Sequence, residues 1–164
     1  MINRGIGGRA IRHSLFASGI VAGAMFTVLS PANAGECPAD KRGTDLTKMD
    51  ATPAKGVSDT VLAAVNLADE PAKIPERQLR LRKLVIQPGG VVPWHSHGDR
   101  PAIIYIIEGE IVEYASNCAV PIVHKAGEVS RETHATSHWW KNTGDQTVVL
   151  LSADILHDKA DKNM

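Results

Sequence analysis

The chain has 164 residues, with 18 basic and 18 acidic side chains, seven histidines and two cysteines. That length suits one domain with a real core. The even charge balance gives no basic patch of the kind a nucleic-acid binder needs, and no Ser-His-Asp set, phosphate-cradling glycine loop or nucleotide fingerprint is present.

The first 34 residues read as a leader rather than as fold. Arg4, Arg9 and Arg12 form a basic n-region, Leu15 to Leu29 is mostly apolar, and Ala32-Asn33-Ala34 is an A-x-A cleavage site. The reading is a signal peptide over 1–34, cut after Ala34, with an uncleaved membrane anchor as the competing reading. No later run is long enough to span a bilayer. Taking 34 residues from 164 leaves 130, with fifteen basic side chains against 18 acidic, a net charge of −3. The expected location is periplasmic or secreted, with no membrane association after cleavage. Arg4 and Arg9 are not adjacent, so there is no twin-arginine signal. The chain is expected to cross unfolded and to collect any metal outside, where Zn and Cu win over Mn and Fe on raw affinity.

Both cysteines lie beyond the leader. In an exported protein the pair Cys37 and Cys118 reads as a disulfide, worth about 4 kcal/mol for so long a loop in the chain-entropy model. A buried thiol plus a chance terminal cysteine is the alternative. There is no CxxC, which argues against thiol redox catalysis.

From Gly35 to Gly56 the chain is polar and without period, an irregular N-terminal arm over 35–56. A domain over 57–164 follows. Val57 to Leu67 is ambiguous between strand and short helix, and strand is the preferred reading. In Arg77 to Gln87, Leu79, Leu81 and Val85 alternate with Arg80, Arg82 and Leu84, and Pro88-Gly89-Gly90 is expected to end the run in a turn. The Arg80 to Lys83 cluster reads as a solvated face. Further extended runs are Ala102 to Glu108, Ile111 to Ala115, Ala119 to His124, His138 to Asn142 and Thr147 to Leu156. Short strands divided by Gly, Asn and Pro turns predict an all-β barrel or sandwich.

The densest chemistry lies in Trp94-His95-Ser96-His97. Residues i and i+2 of a strand share a face, so His95 and His97 can aim at one ion, and His138 is a third candidate. Three neutral imidazoles can hold one divalent Fe, Zn, Cu, Ni or Mn ion and leave positions open. Three histidines satisfied by hydrogen bonds in an empty barrel are the plainer alternative.

Gly89, His95, His97 and Gly109 fall at the spacing of the first cupin motif, G-x5-H-x-H-x(3,4)-E-x6-G. Gly127, His138 and Asn142 fit the second, G-x5-P-x-G-x2-H-x3-N. Over residues 77–156 the chain therefore resembles the cupin superfamily. The resemblance implies a single-domain antiparallel β-barrel of the double-stranded β-helix, jelly-roll type, with the histidines inside. It also implies a homodimer, since cupins commonly pair an early strand across two copies. The chain departs from the family at Ala102, which stands where cupins carry a glutamate, and at Thr133 and Ala135. Asp99 and Glu132 are the nearest acidic residues to replace that carboxylate.

If Ala102 faces inward, Ile104 and Ile106 do too, while Tyr105 points away. Trp140 would share the inward side with His138, leaving Trp139 outside. The expected substrate pocket is Ala102, Ile104, Ile106 and Trp140, with Arg100 at its mouth for a carboxylate. His134 reads as a surface residue, and nothing in the sequence ties His124 or His157 to the site. Two functions follow: a metal-dependent, dioxygenase-like enzyme acting on a small organic molecule, or a non-catalytic module that binds a small molecule or a metal.

Overall fold

In the computed structural model, the residues described are Met1, 35–48, Asp50 and 52–157. The predicted leader and its cleavage site fall outside them, as does the end of the chain beyond His157. After a 3-10 turn at Ala39–Lys41, eight strands follow: β1 (Lys55–Asn66), β2 (Gln78–Ser96), β3 (Ala102–Glu108), β4 (Glu110–Ala115), β5 (Ile122–Lys125), β6 (Val129–Glu132), β7 (Ser137–Lys141) and β8 (Val148–Leu156).

Every pairing is antiparallel, in the order β5-β4-β7-β2-β8-β3-β6, with β1 added on β2. The sheet curls into a nearly closed barrel. Backbone bonds between Ile106 and the Gly127–Glu128 turn bring β3 to the hairpin between β5 and β6. The all-β expectation holds, and Val57 to Leu67 resolves as strand.

The nineteen-residue β2 organises the molecule. Its first part lies between β1 and β8, and its last part pairs with β7. The turn expected at Pro88-Gly89-Gly90 is absent. Gly89 takes φ +72°, and a Cβ on Gly90 would lie 2.7 Å from both the Gln87 carbonyl and Ile86, so two glycines let the strand bend and continue. At the same end of the barrel, beside the β7–β8 turn, Gly109 at φ +81° makes the tight β3–β4 connection.

The core is one cluster built from alternate residues of β2, β3, β4, β7 and β8, including Ile86, Ile106, Ile111, Trp140 and Val148. Asn142 is buried behind it. Its side chain donates to the carbonyls of Ile86 and Gln146 and accepts from the Gly144 amide, which fixes the β7–β8 turn. A second, smaller cluster surrounds the disulfide between Cys37 and Cys118, whose Cα atoms are 5.7 Å apart. It fastens the segment before β1 to the loop after β4.

The Arg80 to Lys83 segment overturns the expected solvated face. Arg82 is buried together with Leu84 and Ile86, while Lys83 is exposed and Leu81 and Val85 are partly covered. The cause is a carboxylate on the neighbouring strand. Asp154 of β8, itself buried, receives a bidentate contact from Arg80 at 2.7 and 3.0 Å and a third nitrogen from Arg82 at 3.3 Å. Buried charges are retained where they are paired in this way.

Candidate metal centre

His95 faces inward because of a local irregularity. Val92 pairs with Trp140 and His95 with His138, three residues of β2 against two of β7. The bulge at Pro93-Trp94 inserts one residue and resets the alternation, so Val92 and His95 share the inner side. Proline suits this position, since its missing N–H would not be used in the ladder. His97 follows just after the strand, its amide donating to the Thr136 carbonyl at 2.9 Å.

The three Nε2 atoms of His95, His97 and His138 form a triangle with sides of 3.1, 3.0 and 3.0 Å. All three side chains are buried. Each Nδ1 is held from behind. That of His95 donates to the Pro93 carbonyl at 2.9 Å, that of His97 to the Arg100 carbonyl at 2.7 Å, and that of His138 to Glu113 Oε1 at 2.6 Å. A carbonyl only accepts, so the Nδ1 atoms of His95 and His97 carry protons and their Nε2 lone pairs face the centre.

This donor set fits a transition-metal ion. An ion about 2.1 Å from all three nitrogens would see them at mutual angles of about 90–95°, one face of an octahedron, whereas a tetrahedron would space them about 3.4 Å apart. The electrostatics agree with that fit. Burial, followed by the charge on His138, lowers His95 to about 2 and His97 to about 3, so both stay neutral. Burial would lower His138 as well, but Glu132 and Glu113 outweigh it and raise it above the ordinary value.

Glu113 is the residue the sequence reading missed. It lies at the inward-facing middle of β4, with 2% of its surface exposed. Its second oxygen accepts from His124 Nε2 at 2.8 Å. Burial pushes its pKa up, but the His138 charge and the two imidazole contacts prevail and hold it down at about 2. His124 is stacked on Trp140, with ring centroids 4.5 Å apart. The expectation that nothing ties His124 to the site is therefore wrong: Glu113 links it to His138. The available signal was an acidic residue in the middle of an apolar strand run.

The two candidates for the missing family carboxylate separate cleanly. Asp99 is exposed and pairs with Arg77 and His157. Glu132 is buried on β6 directly across from Ala102, with Oε2 3.5 Å from His138 Nδ1. Burial raises its pKa, and Ser130 donates to its other oxygen at 2.6 Å. Glu132, Glu113 and His138 form a second group that could hold a cation, on the Nδ1 side of His138.

Of the expected pocket residues, Ala102, Ile104, Ile106 and Trp140 are all buried, while Tyr105 is exposed and Trp139 stacks on Tyr114 at 4.1 Å. Ile104 and Trp140 line a small cavity against His95 and His97, together with Leu84, Val92, Leu150, Arg82 and Ser152. Ala102, Ile106 and Arg100 are not in its lining. Arg100 is buried with Nη1 3.8 Å from Asp154. His134 is exposed, and His157 meets Asp99 at 2.6 Å.

A barrel with three inward imidazoles and no first-motif carboxylate defines the class. The profile of the Cupin domain family matches residues 82–154, and that match, with the barrel, supports membership of the cupin superfamily. Solved structures of the same fold include an uncharacterized conserved protein with a double-stranded β-helix domain from Klebsiella pneumoniae subsp. pneumoniae MGH 78578. It has 18% identity and a TM-score of 0.50, over 66% of this chain and 84% of that one. Oxalate oxidase in complex with the substrate analogue glycolate has 22% identity and a TM-score of 0.48, over 70% of this chain and 62% of that one. The Schizosaccharomyces pombe Cnp3 cupin domain has 15% identity and a TM-score of 0.48, over 65% of this chain and 66% of that one. The chain thus spans just under two thirds of the latter two. At these identities the likeness is one of fold. No curated protein matches the sequence.

Proposed function

We propose that this protein is an exported cupin whose His95, His97 and His138 hold one divalent transition-metal ion, and that it acts on a small organic molecule as a dioxygenase-type oxidoreductase. The observation that carries the reading is the triangle of Nε2 atoms 3.0–3.1 Å apart, each ring fixed through its Nδ1. Such an ion would supply Lewis-acid and redox chemistry at positions left open by the protein. The chain's own contribution is to fix the imidazole tautomers and to line the cavity beside His95 and His97 with Leu84, Val92, Ile104, Leu150 and Trp140, which leave little room for water. The described residues lining that cavity include no carboxylate and no imidazole besides His95 and His97. Reactions that begin with proton abstraction by a general base are therefore disfavoured.

That same lack of a base supports a second reading, a non-catalytic module that binds a metal or a small molecule. Elemental analysis of protein purified from its native compartment separates the two. Iron supports the oxygenase, zinc supports the binding role, and protein that neither contains nor takes up metal overturns the oxygenase and the metal-binding module alike, leaving only small-molecule binding. Export is supported by the disulfide. A homodimer is supported by β1, which carries exposed Val61, Leu62 and Val65 and pairs with β2 along one edge. Sedimentation analysis tests it, and a monomer at micromolar concentration would rule it out.

A further inference from the structure

Arg82 stands at the polar end of the cavity beside His95 and His97. Its residue surface is 4% exposed, in the same inward row as Leu84 and Ile86. Nη1 is engaged by Asp59 of β1, and Nη2 reaches Asp154 at 3.3 Å and Ser152 Oγ at 3.4 Å. Nε is buried and has no hydrogen-bond partner among the described residues. A buried donor left unmade costs free energy that a ligand can recover.

The cavity joins this guanidinium to two of the three imidazoles. Its volume of about 20 Å³ matches one or two waters, and Ile104, Leu150 and Trp140 form apolar walls. Charge points the same way. An ion held by three neutral imidazoles keeps its full double positive charge, because Ala102 supplies no carboxylate. Apolar walls strengthen the attraction of that charge for an anion.

We propose that this cavity is a binding site for a small monocarboxylate, with its oxygens between Arg82 and Ser152 at one end and the open side of the three-His centre at the other. The proposal rests on the three-His reading. Arg82 supplies an N–H without a partner and a positive charge, Ser152 a hydroxyl, and a cavity this small limits the ligand to formate or little more. A neutral amide of the same shape would place an NH2 group against donors on one side and lose the attraction of the charge. The site therefore selects acid over amide.

Calorimetric titration with formate, and with formamide as the neutral isostere, tests this on metal-free and cobalt-loaded protein. Cobalt uptake is measured first, so failure of the three-His centre is seen separately. If no cobalt binds, the formate titration of the metal-free protein still decides the role of Arg82. Formate should bind, more tightly once cobalt is present, and formamide at least about tenfold more weakly. Arg82→Lys keeps the charge facing Asp59 and Asp154 but removes the Nε donor, and should weaken formate about tenfold. Asp59→Asn removes a competing carboxylate and should tighten formate severalfold, which keeps the test decisive if the lysine variant does not fold. Formate affinity unchanged in either variant, or equal binding of formamide, would overturn the assignment.

Discussion

Glu113→Gln isolates the carboxylate behind His138 with almost no change of shape. In the wild-type protein the buried Glu113 accepts from His138 Nδ1 at 2.6 Å and from His124 Nε2 at 2.8 Å. A hydrogen bond to a charged acceptor contributes about 1.5–3 kcal/mol and a neutral one about 0.5–1.5. Exchanging one for the other at the His138 contact therefore costs about 1–2 kcal/mol, a five- to thirtyfold loss of metal affinity. The amide also has only one oxygen for two imidazole N–H groups, so one ring loses its acceptor. Competition titrations with cobalt or zinc against a chelating dye give the affinity, and the cobalt spectrum reports whether the His138 donor has turned. Circular dichroism and an intact disulfide establish that the variant is folded. A folded variant that binds metal within twofold of wild type, with an unchanged spectrum, would refute the view that Glu113 sets the donor strength of His138.

Ala102→Glu places a second carboxylate across from Glu132 on an inward wall. Without metal it should destabilise the fold by several kcal/mol, and the metal-induced rise in melting temperature should exceed that of wild type; identical rises would mean that position 102 does not serve the centre. Alanine at His95, His97 or His138 should abolish high-affinity metal binding, while His134→Ala should leave it nearly intact, as equilibrium dialysis would show. The carboxylates of Glu132 and Glu113 hold the folded-state pKa of His138 above the ordinary histidine value. Its contribution to the metal-free protein is thus complete below about pH 6.5 and lost as pH rises through the higher folded value. Over that window metal-free melting temperature should fall while metal affinity climbs by up to about tenfold per pH unit, with about one proton released per ion. A metal affinity flat from pH 6 to 9 would contradict this.

The strands and the common face of His95 and His97 were legible because both rest on a period of two, a local property, while the bulge at Pro93-Trp94 that turns His95 inward was not. What the sequence could not supply was the identity of long-range partners. Alternation in Leu79 to Leu84 defines two faces without saying which is inside. Hydrophobicity favoured the leucines, and Asp154, on a different strand, reverses that choice for Arg80 and Arg82. The signal at Pro88-Gly89-Gly90 is the same for a turn as for a bend within a continuing strand, and the pairing of β2 with β1 on both sides of the bend, and then with β7, decides it. Strand β6 escaped notice because Val129-Ser130-Arg131-Glu132 holds one apolar residue in four, and its place comes from its partner β3.

The same logic changes the meaning of Ala102. Along the sequence this position reads as a lost carboxylate. Across the sheet, Ala102 faces Glu132, so a buried carboxyl group remains one strand away, on the Nδ1 side of His138 rather than at the Nε2 triangle. Glu113 joins it there, and together they act on the one imidazole of the three whose Nδ1 is not held by a backbone carbonyl. Acidic groups are thus kept beside the centre, but they have moved from the place of a ligand to a place behind one. That leaves the coordination face free of protein charge, and an anion from outside is the ligand such a face would attract.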